Sequence, residues 1–365
     1  MDRACIHRPE YGALDLNRLF RALVVSLLAL AGGAHAADVE GGLRATGRLL
    51  VDGNAPRDFT LGGDTTDLVL SLLTSAEGRV TADRWQLVGR YDAGGRKYVA
   101  FPTEDTLVQS AALEGSLALG TSLGVGLEGR AKDRRGGSRE YTDLAASAFL
   151  EYVPDAQLSL RLRAGAHRFL YRPSFAASFG SPEVGFLARY RLDRRHALFA
   201  SGEYGSRRYN TPALAPPTEA GGEPQPRSWR REDGALQASV GYTYKGPLAL
   251  GLTYTFQEIG SNSYGESVRR HRVGGNAGVR LPWKVTLLAQ GALGFNHYPD
   301  GVYFSTDITL LEDDEAQNSL SLKLARPLDA HLDVELSYAV YGTRLPRNDL
   351  AYFRQVAGVG LTWRP

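Results

Sequence analysis

Four arginines on two neighbouring segments have the spacing that most suggests a function. Arg161 and Arg163 alternate with leucines in LSLRLRAGAHRF, residues 158–169, and Arg189 and Arg191 follow the same alternation in the next segment. Side chains two residues apart lie on the same face of a β-strand, so each pair would form a short row of positive charge. If the two segments pair, the rows face each other and attract anions. The chemistry that this pattern predicts is electrostatic.

Catalytic motifs are weak by comparison. GVGLEG, residues 124–129, has the glycine spacing of a dinucleotide-binding turn, but it lies inside an alternating segment instead of between a strand and a helix. Ser267 and His271 share one strand phase, and Asn276 follows, yet nothing in their spacing specifies a nucleophile and its base. The other histidine candidates are His167 and His297. We therefore expect no enzymatic activity, no catalytic residue, no cofactor and no resident metal.

Residues 1–36 have the pattern of a cleavable signal peptide. Basic residues precede the apolar run ALVVSLLALAGGA, residues 22–34, and AHA at residues 34–36 is a small-x-small cleavage site. The apolar run is shorter than the roughly 20 residues that a membrane-spanning helix needs. The alternative is an uncleaved anchor. The only cysteine, Cys5, lies in this segment, so the exported part would have no disulfide and no cysteine metal ligand.

The remaining residues, 37–365, form a succession of segments with period-two hydrophobicity. In HLDVELSYAV, Leu332, Val334 and Leu336 share one face, and Asp333 and Glu335 share the other. Short turns and longer polar connections alternate along the chain, and counting the segments between them gives about sixteen strands, in a range of roughly 14–18. The pattern predicts an all-β fold: a transmembrane antiparallel up-and-down β-barrel with long loops at one end. A soluble β-sandwich is the alternative.

The C-terminus and the aromatic residues support the barrel. AGVGLTWRP, residues 357–365, brings Ala357, Val359, Leu361 and Trp363 into phase, although Arg364 and Pro365 follow the last aromatic. Aromatic residues near strand ends suggest girdles at the lipid boundary: Trp85, Tyr91, Tyr152, Phe169, Tyr190, Tyr204, Tyr254, Phe256 and Trp363. Over residues 37–365 the chain resembles the Gram-negative outer-membrane β-barrel class and its porin-like members. The resemblance rests on architecture and on no diagnostic motif.

That resemblance implies a location and a set of partners. The chain would lie in the outer membrane of a Gram-negative cell, with both termini in the periplasm. It would contact outer-membrane lipid and lipopolysaccharide, and its C-terminal strand would engage the barrel assembly machinery. Export partners in the periplasm are a further possibility. A net charge of only +2 gives no reason to expect nucleic acid as a partner.

The polar phase of each strand faces the barrel interior because lipid cannot solvate charge. This phase holds roughly two basic residues for each acidic one and predicts an anion-attracting wall. The alternative is that these arginines pair with lumen carboxylates. The predicted pore-lining residues are Arg130, Arg161, Arg163, Arg189, Arg191, Arg270, Arg272 and Arg280. The largest extracellular loop is expected at residues 210–233, as a flexible external segment or, alternatively, as a constriction folded inward.

Three functions agree with these features. The first is a water-filled, basic-lined channel with porin-like passage of small anionic or sugar solutes. The second is an exit pore for a secreted polysaccharide that works with separate periplasmic partners. The third is a structural, adhesion or scaffold barrel.

Overall fold

The chain, with its alternating polar and apolar side chains, folds into sixteen β-strands that form one closed barrel. A computed structural model describes residues 37–56, 65–137, 139–219, 221–302, 318–344 and 351–365. Every strand pairs antiparallel with the next one along the chain, and the first pairs with the last. The predicted all-β barrel and its strand number are confirmed. The signal-peptide prediction falls on residues outside those described.

The strands have the following bounds: β1 Asp38–Asp52, β2 Asp67–Thr81, β3 Trp85–Tyr98, β4 Thr106–Ala118, β5 Leu123–Arg135, β6 Tyr141–Tyr152, β7 Leu158–Tyr171, β8 Phe179–Arg191, β9 His196–Ala215, β10 Gln225–Tyr244, β11 Leu248–Ser261, β12 Val268–Arg280, β13 Thr286–His297, β14 Asn318–Pro327, β15 Leu332–Arg344 and β16 Ala351–Trp363. Within the described ranges, no helix is long and apolar enough to cross a membrane.

The outer face of the barrel is apolar and exposed. Leu127 is 68% exposed, Leu70 is 61% exposed and Leu162 is 60% exposed, although leucine is normally a buried residue. Such a continuous apolar surface requires a nonpolar surrounding phase. The polar residues of the same strands face the interior, as the alternation predicts.

The short connections all lie at one end of the barrel, which we call the short-turn end. Three of them use the same local device, because Asp155, Asp193 and Asp329 each accept backbone N–H bonds from the residues two and three positions later. These bonds satisfy the backbone where the chain reverses. In the turn between β8 and β9, the N–H groups of Arg195 and His196 also lower the pKa of the Asp193 carboxyl.

The range 210–233, predicted as one loop, is mostly strand. β9 continues to Ala215 and β10 begins at Gln225, so a long hairpin projects at the opposite end, which we call the long-loop end. The proline residues of this segment had indicated a loop. Pro212 and Pro226 lie at or next to the register shifts of this hairpin, where a missing N–H donor is tolerated.

The seam between β1 and β16 closes the barrel with buried polar contacts. Asp52 and Arg354 form an ion pair in which each side chain is only 2% exposed, and the Arg354 Nε donates to Asp52 at 2.8 Å. Nearer the short-turn end, the hydroxyls of Thr46 and Thr362 are hydrogen bonded at 2.9 Å. The seam is therefore fixed by specific side chains in addition to the backbone ladder.

Candidate functional site

The cross-strand register identifies the inner face, which is the candidate functional surface. All eight predicted pore-lining arginines lie on it, as their phase predicted. The basic excess on this face is smaller than the predicted two to one, because acidic residues are also numerous there. They are Asp38, Glu40, Asp52, Asp67, Glu77, Asp92, Glu114, Glu128, Asp143, Glu151, Glu183, Glu203, Asp233, Asp333 and Glu335.

Arg161 lies at the centre of a cluster of glutamates. Its two terminal nitrogens each lie 3.0 Å from one carboxylate oxygen of Glu114, in the forked geometry that guanidinium favours. The same guanidinium lies 3.8 Å from Glu128 and 3.5 Å from Glu151. Three carboxylates on three strands therefore converge on one cation. With Arg163 and Glu203, these residues form what we call the Arg161 network.

The predicted rows of facing arginines are wrong in register. Arg161 lies opposite Leu187, and Arg189 lies opposite Ser159. Arg163 instead contacts Glu128 at 3.4 Å and forms an ion pair with Glu203. The alternative that these arginines pair with lumen carboxylates is thus correct for Arg161 and Arg163.

Gly126, from the GVGLEG stretch, leaves space for the aromatic ring that lies beneath this network. It lies opposite Phe149, and a Cβ atom added at Gly126 would overlap the Phe149 ring and the carbonyl of Gly115. The Arg161 guanidinium in turn lies 4.0 Å from the centroid of that ring. The glycine thus lets an aromatic ring lie against the wall and support the central arginine.

Substituting Gly126 with valine should displace Phe149 and disturb Arg161. We expect Gly126→Val to lower the free energy of unfolding by about 1–3 kcal/mol, the range for overpacking a filled site. Thermal unfolding in detergent checks this. Gly47→Val on the outer face is the matched control, because an added Cβ at Gly47 meets no atom within 4 Å. Equal unfolding temperatures for the two variants would contradict the proposed role of Gly126.

His167 is held between two carboxylates further along β7. Its Nε2 lies 2.8 Å from Asp143 and its Nδ1 lies 2.8 Å from Glu183. Because both ring nitrogens already have carboxylate partners, neither is available as a free general base. This arrangement links β6, β7 and β8 and supports the inner wall.

At the long-loop end, loops fold over parts of the inner wall. Inward aromatic side chains there are 2–4% exposed, and they form a cluster with Ala177 of the β7–β8 loop packed against it. The cluster consists of Tyr141, Phe169, Tyr171, Phe179 and Tyr209. Phe169, predicted in an outer girdle, therefore faces inward. Alternation alone cannot distinguish a lipid-facing aromatic at a strand end from a loop-covered one.

A second apolar cluster lies under other loops at the same end. Leu50 and Val69 on the strands pack with Ala55 of the β1–β2 connection and with Phe101 of the β3–β4 connection. The β3–β4 loop is held by Asp67, whose carboxylate accepts N–H bonds from residues 99–101. Loops other than the predicted 210–233 segment thus cover the inner wall at this end.

The wall formed by β10 to β13 combines hydroxyls and amides with the inner-face arginines of β12. Thr253, Thr255, Asn276 and Gln290 line a shallow recess of about 220 Å³ beside Arg272. Ser239 and Thr255 are hydrogen bonded at 2.9 Å on the same wall. The interior is thus divided into a charged side around the Arg161 network and a side of hydroxyls and amides.

Seven basic residues line a larger recess at the short-turn end, which we call the basic recess. Its volume is about 770 Å³, and its only acidic residues are Asp333 and Glu335. The basic side chains are Arg44, Arg48, Arg280, Lys284, Lys323, Arg326 and Arg364. Only Arg280 of this set was predicted as a site residue. Arg44, Arg48 and Lys323 lie within β1 and β14 in the regular inner phase. Lys284, Arg326 and Arg364 stand near strand ends or in turns, where period-two counting loses its phase.

The remaining predicted arginines differ in their surroundings. Arg270 is 5% exposed, and its Nη1 donates to Gln257 at 3.1 Å. Arg130, Arg189, Arg191 and Arg280 are exposed, and over the described ranges none of the four has a hydrogen bond or an ion pair. The accessible positive charge therefore lies mainly toward the short-turn end.

The structure separates the residues considered for catalysis. His271 is on the outer face, where its Nδ1 lies 2.8 Å from the Tyr254 hydroxyl. Asn276 lies on the inner face, opposite Gly251. GVGLEG lies wholly within β5. In the part of the chain that is described, no group of three or more histidine, cysteine or acidic side chains could hold a metal ion.

Comparisons with known proteins agree with this architecture. No protein-family model matches the sequence, and no curated protein matches it. The chain is similar in structure to OmpT, an outer membrane protein of Vibrio cholerae, with 11% identity, 91% of this chain and 98% of that chain covered, and a TM-score of 0.51. OprB of Pseudomonas putida gives 11% identity, 95% and 97% coverage, and a TM-score of 0.53. At this identity the likeness shows the fold alone, which is that of outer-membrane β-barrels.

Proposed function

We propose that this barrel lies in the outer membrane and forms a water-filled channel that favours anionic solutes. The observation that carries the proposal is the contrast between the two faces of one closed sheet. Exposed leucines cover the outside, and arginines, glutamates, hydroxyls and amides cover the inside. A sixteen-strand barrel is wide enough to hold an aqueous lumen.

The anion preference rests on arginines outside the Arg161 network. Arg161 and Arg163 are compensated by glutamates and contribute little net field. Arg130, Arg189, Arg191 and Arg280 are exposed inner-face cations that raise the local concentration of anions. The hydroxyls and amides of β10 to β13 would let a solute pass without strong binding.

In the proposed orientation the short-turn end and both termini face the periplasm. The signal-peptide pattern of residues 1–36 would direct export, and the C-terminal strand would engage the assembly machinery. The outer face would contact lipid and lipopolysaccharide. The hypotheses of a polysaccharide exit and of a scaffold barrel remain predictions.

A conductance measurement tests the channel. We expect purified barrel in a planar lipid bilayer to open stable conductance steps, with a reversal potential under a KCl gradient that shows preference for chloride. The physical reason is that Arg130, Arg189, Arg191 and Arg280 are exposed on the inner face and have no ion pair among the described residues. Heat-denatured protein is the control. No conductance, or a preference for potassium, would overturn the proposal.

A further inference from the structure

The basic recess has more positive charge than its own carboxylates can neutralise. Glu335 accepts ion pairs from both Arg48 and Lys323, and Asp333 pairs with Arg364. The Glu335 side chain is 2% exposed and already contacts two cations, so its carboxylate does not neutralise the other basic residues of the recess. Three of the seven basic side chains are therefore compensated.

Three cations of the recess form no ion pair with a carboxylate among the residues that the structure describes. They are Arg44, Arg280 and Lys284. Arg326 also borders the recess, but it pairs with Val334 in the outward phase of β14. Cations without ion pairs along one wall raise the local positive potential, which attracts anions from solvent.

The turn that carries Lys284 has an unusual backbone. Trp283 and Lys284 have φ angles of 59° and 60°, in the left-handed region that residues other than glycine rarely adopt. Such conformations cost free energy and concentrate at functional sites. In this turn the strained backbone places Lys284 in the lining of the recess.

The spread of these cations defines the kind of anion that fits. Arg44 is on β1 and Arg280 is on β12, so the set extends along the wall over five strand spacings, about 24 Å. One compact anion cannot reach them all. A molecule with several separated carboxylates can, and arginine binds carboxylate through two parallel hydrogen bonds.

We propose that the basic recess binds solutes that carry several separated carboxylates and that it is the point where they are captured at the short-turn end. This inference rests on the proposed channel function and adds its ligand class and site. Chains of acidic sugars provide this chemistry, because the carboxylates of a small di- or tricarboxylic acid are too close together to reach across the set. The hydroxyls and amides of β10 to β13 beyond the recess would then receive the ligand without holding it.

Calorimetric titration of the purified full chain in detergent tests the recess without requiring conductance. The probes are citrate, trigalacturonate, inorganic phosphate and uncharged maltotriose. We expect the unaltered chain to bind trigalacturonate more tightly than citrate. The variant R44Q/R280Q/K284Q should bind trigalacturonate at least about tenfold more weakly than the unaltered chain, because several charge-assisted contacts are lost. Citrate binding as tight as trigalacturonate would contradict the inference that the ligand extends across the set of cations.

The matched control is R84Q/R194Q/K245Q, which removes the same charge from exposed turns at the same end but outside the recess. It should bind trigalacturonate within about twofold of the unaltered chain, since distant exposed charges are screened. The charge-preserving variant R44K/R280K should retain binding if the first variant loses it through lost charge and not through misfolding. Equal weakening in both glutamine variants, or binding of maltotriose or phosphate as tight as that of trigalacturonate, would contradict the proposed site. Binding without conductance would overturn the channel function alone.

Discussion

Arg354→Met should lower the free energy of unfolding by about 3–5 kcal/mol, the usual cost of leaving one partner of a buried ion pair uncompensated. The substitution leaves the Asp52 carboxylate 2% exposed without its cation, at the seam where β1 meets β16. Methionine keeps the length of the side chain, so the lost charge is the main change. Chemical denaturation in detergent micelles, followed by tryptophan fluorescence, measures the effect.

Two further variants isolate the cause. D52L/R354M removes both charges, and it should recover most of the lost stability because no buried charge remains unpaired. R269M breaks the exposed pair with Glu258, whose side chains are 53% and 34% exposed, and it should cost less than about 1 kcal/mol. If the double variant is less stable than R354M, net ion-pair attraction stabilises the seam, and an unpaired buried charge does not explain the loss.

Arg161→Met should destabilise the barrel by about 2 kcal/mol or more. The change leaves Glu114, Glu128 and Glu151 converging on one point without their shared cation, and like charges at short range repel each other. The same denaturation assay measures it. R189M is the matched control. Arg189 is an inner-face arginine on the neighbouring strand β8, opposite Ser159, and it has no ion pair among the described residues. Its loss should cost less than about 0.5 kcal/mol.

A second substitution tests the repulsion directly. R161M/E128Q should be more stable than R161M alone, because one of the three uncompensated charges is gone. Similar losses in R161M and R189M would show that the carboxylates are screened by water in the lumen. In that event Arg161 would be an accessible pore residue, as the sequence indicated.

The strand phase could be predicted from the sequence because the polar and apolar alternation is nearly unbroken in the middle of each strand. It identified the barrel and put all eight arginines on the inner face. It could not give the cross-strand register, which depends on the geometry of the connections. Between β7 and β8 the chain turns through a 3₁₀ turn at Phe175–Ala177, and the resulting register pairs Arg161 with Leu187 instead of Arg189. A shift of two positions keeps the face and changes the partner.

The strand ends were the other limit of the sequence. Phe169 was predicted as a lipid-facing aromatic, yet it is buried at the inner face. Lys284 stands in a turn, outside any regular count, although it lines the basic recess. Both facts depend on contacts between distant segments, which local periodicity does not describe.

The seam has a consequence for how this chain reaches its folded form. The hydrogen bond between the hydroxyls of Thr46 and Thr362 joins residues 316 positions apart, so β1 cannot complete its pairing until β16 has folded. Until β16 arrives, the sheet has two open edges that can template pairing with other chains. Closing so large a loop is slow, and the half-formed sheet is prone to aggregation meanwhile. The unfolded polypeptide therefore depends on being kept from pairing with other chains until its final thirteen-residue strand has joined the sheet.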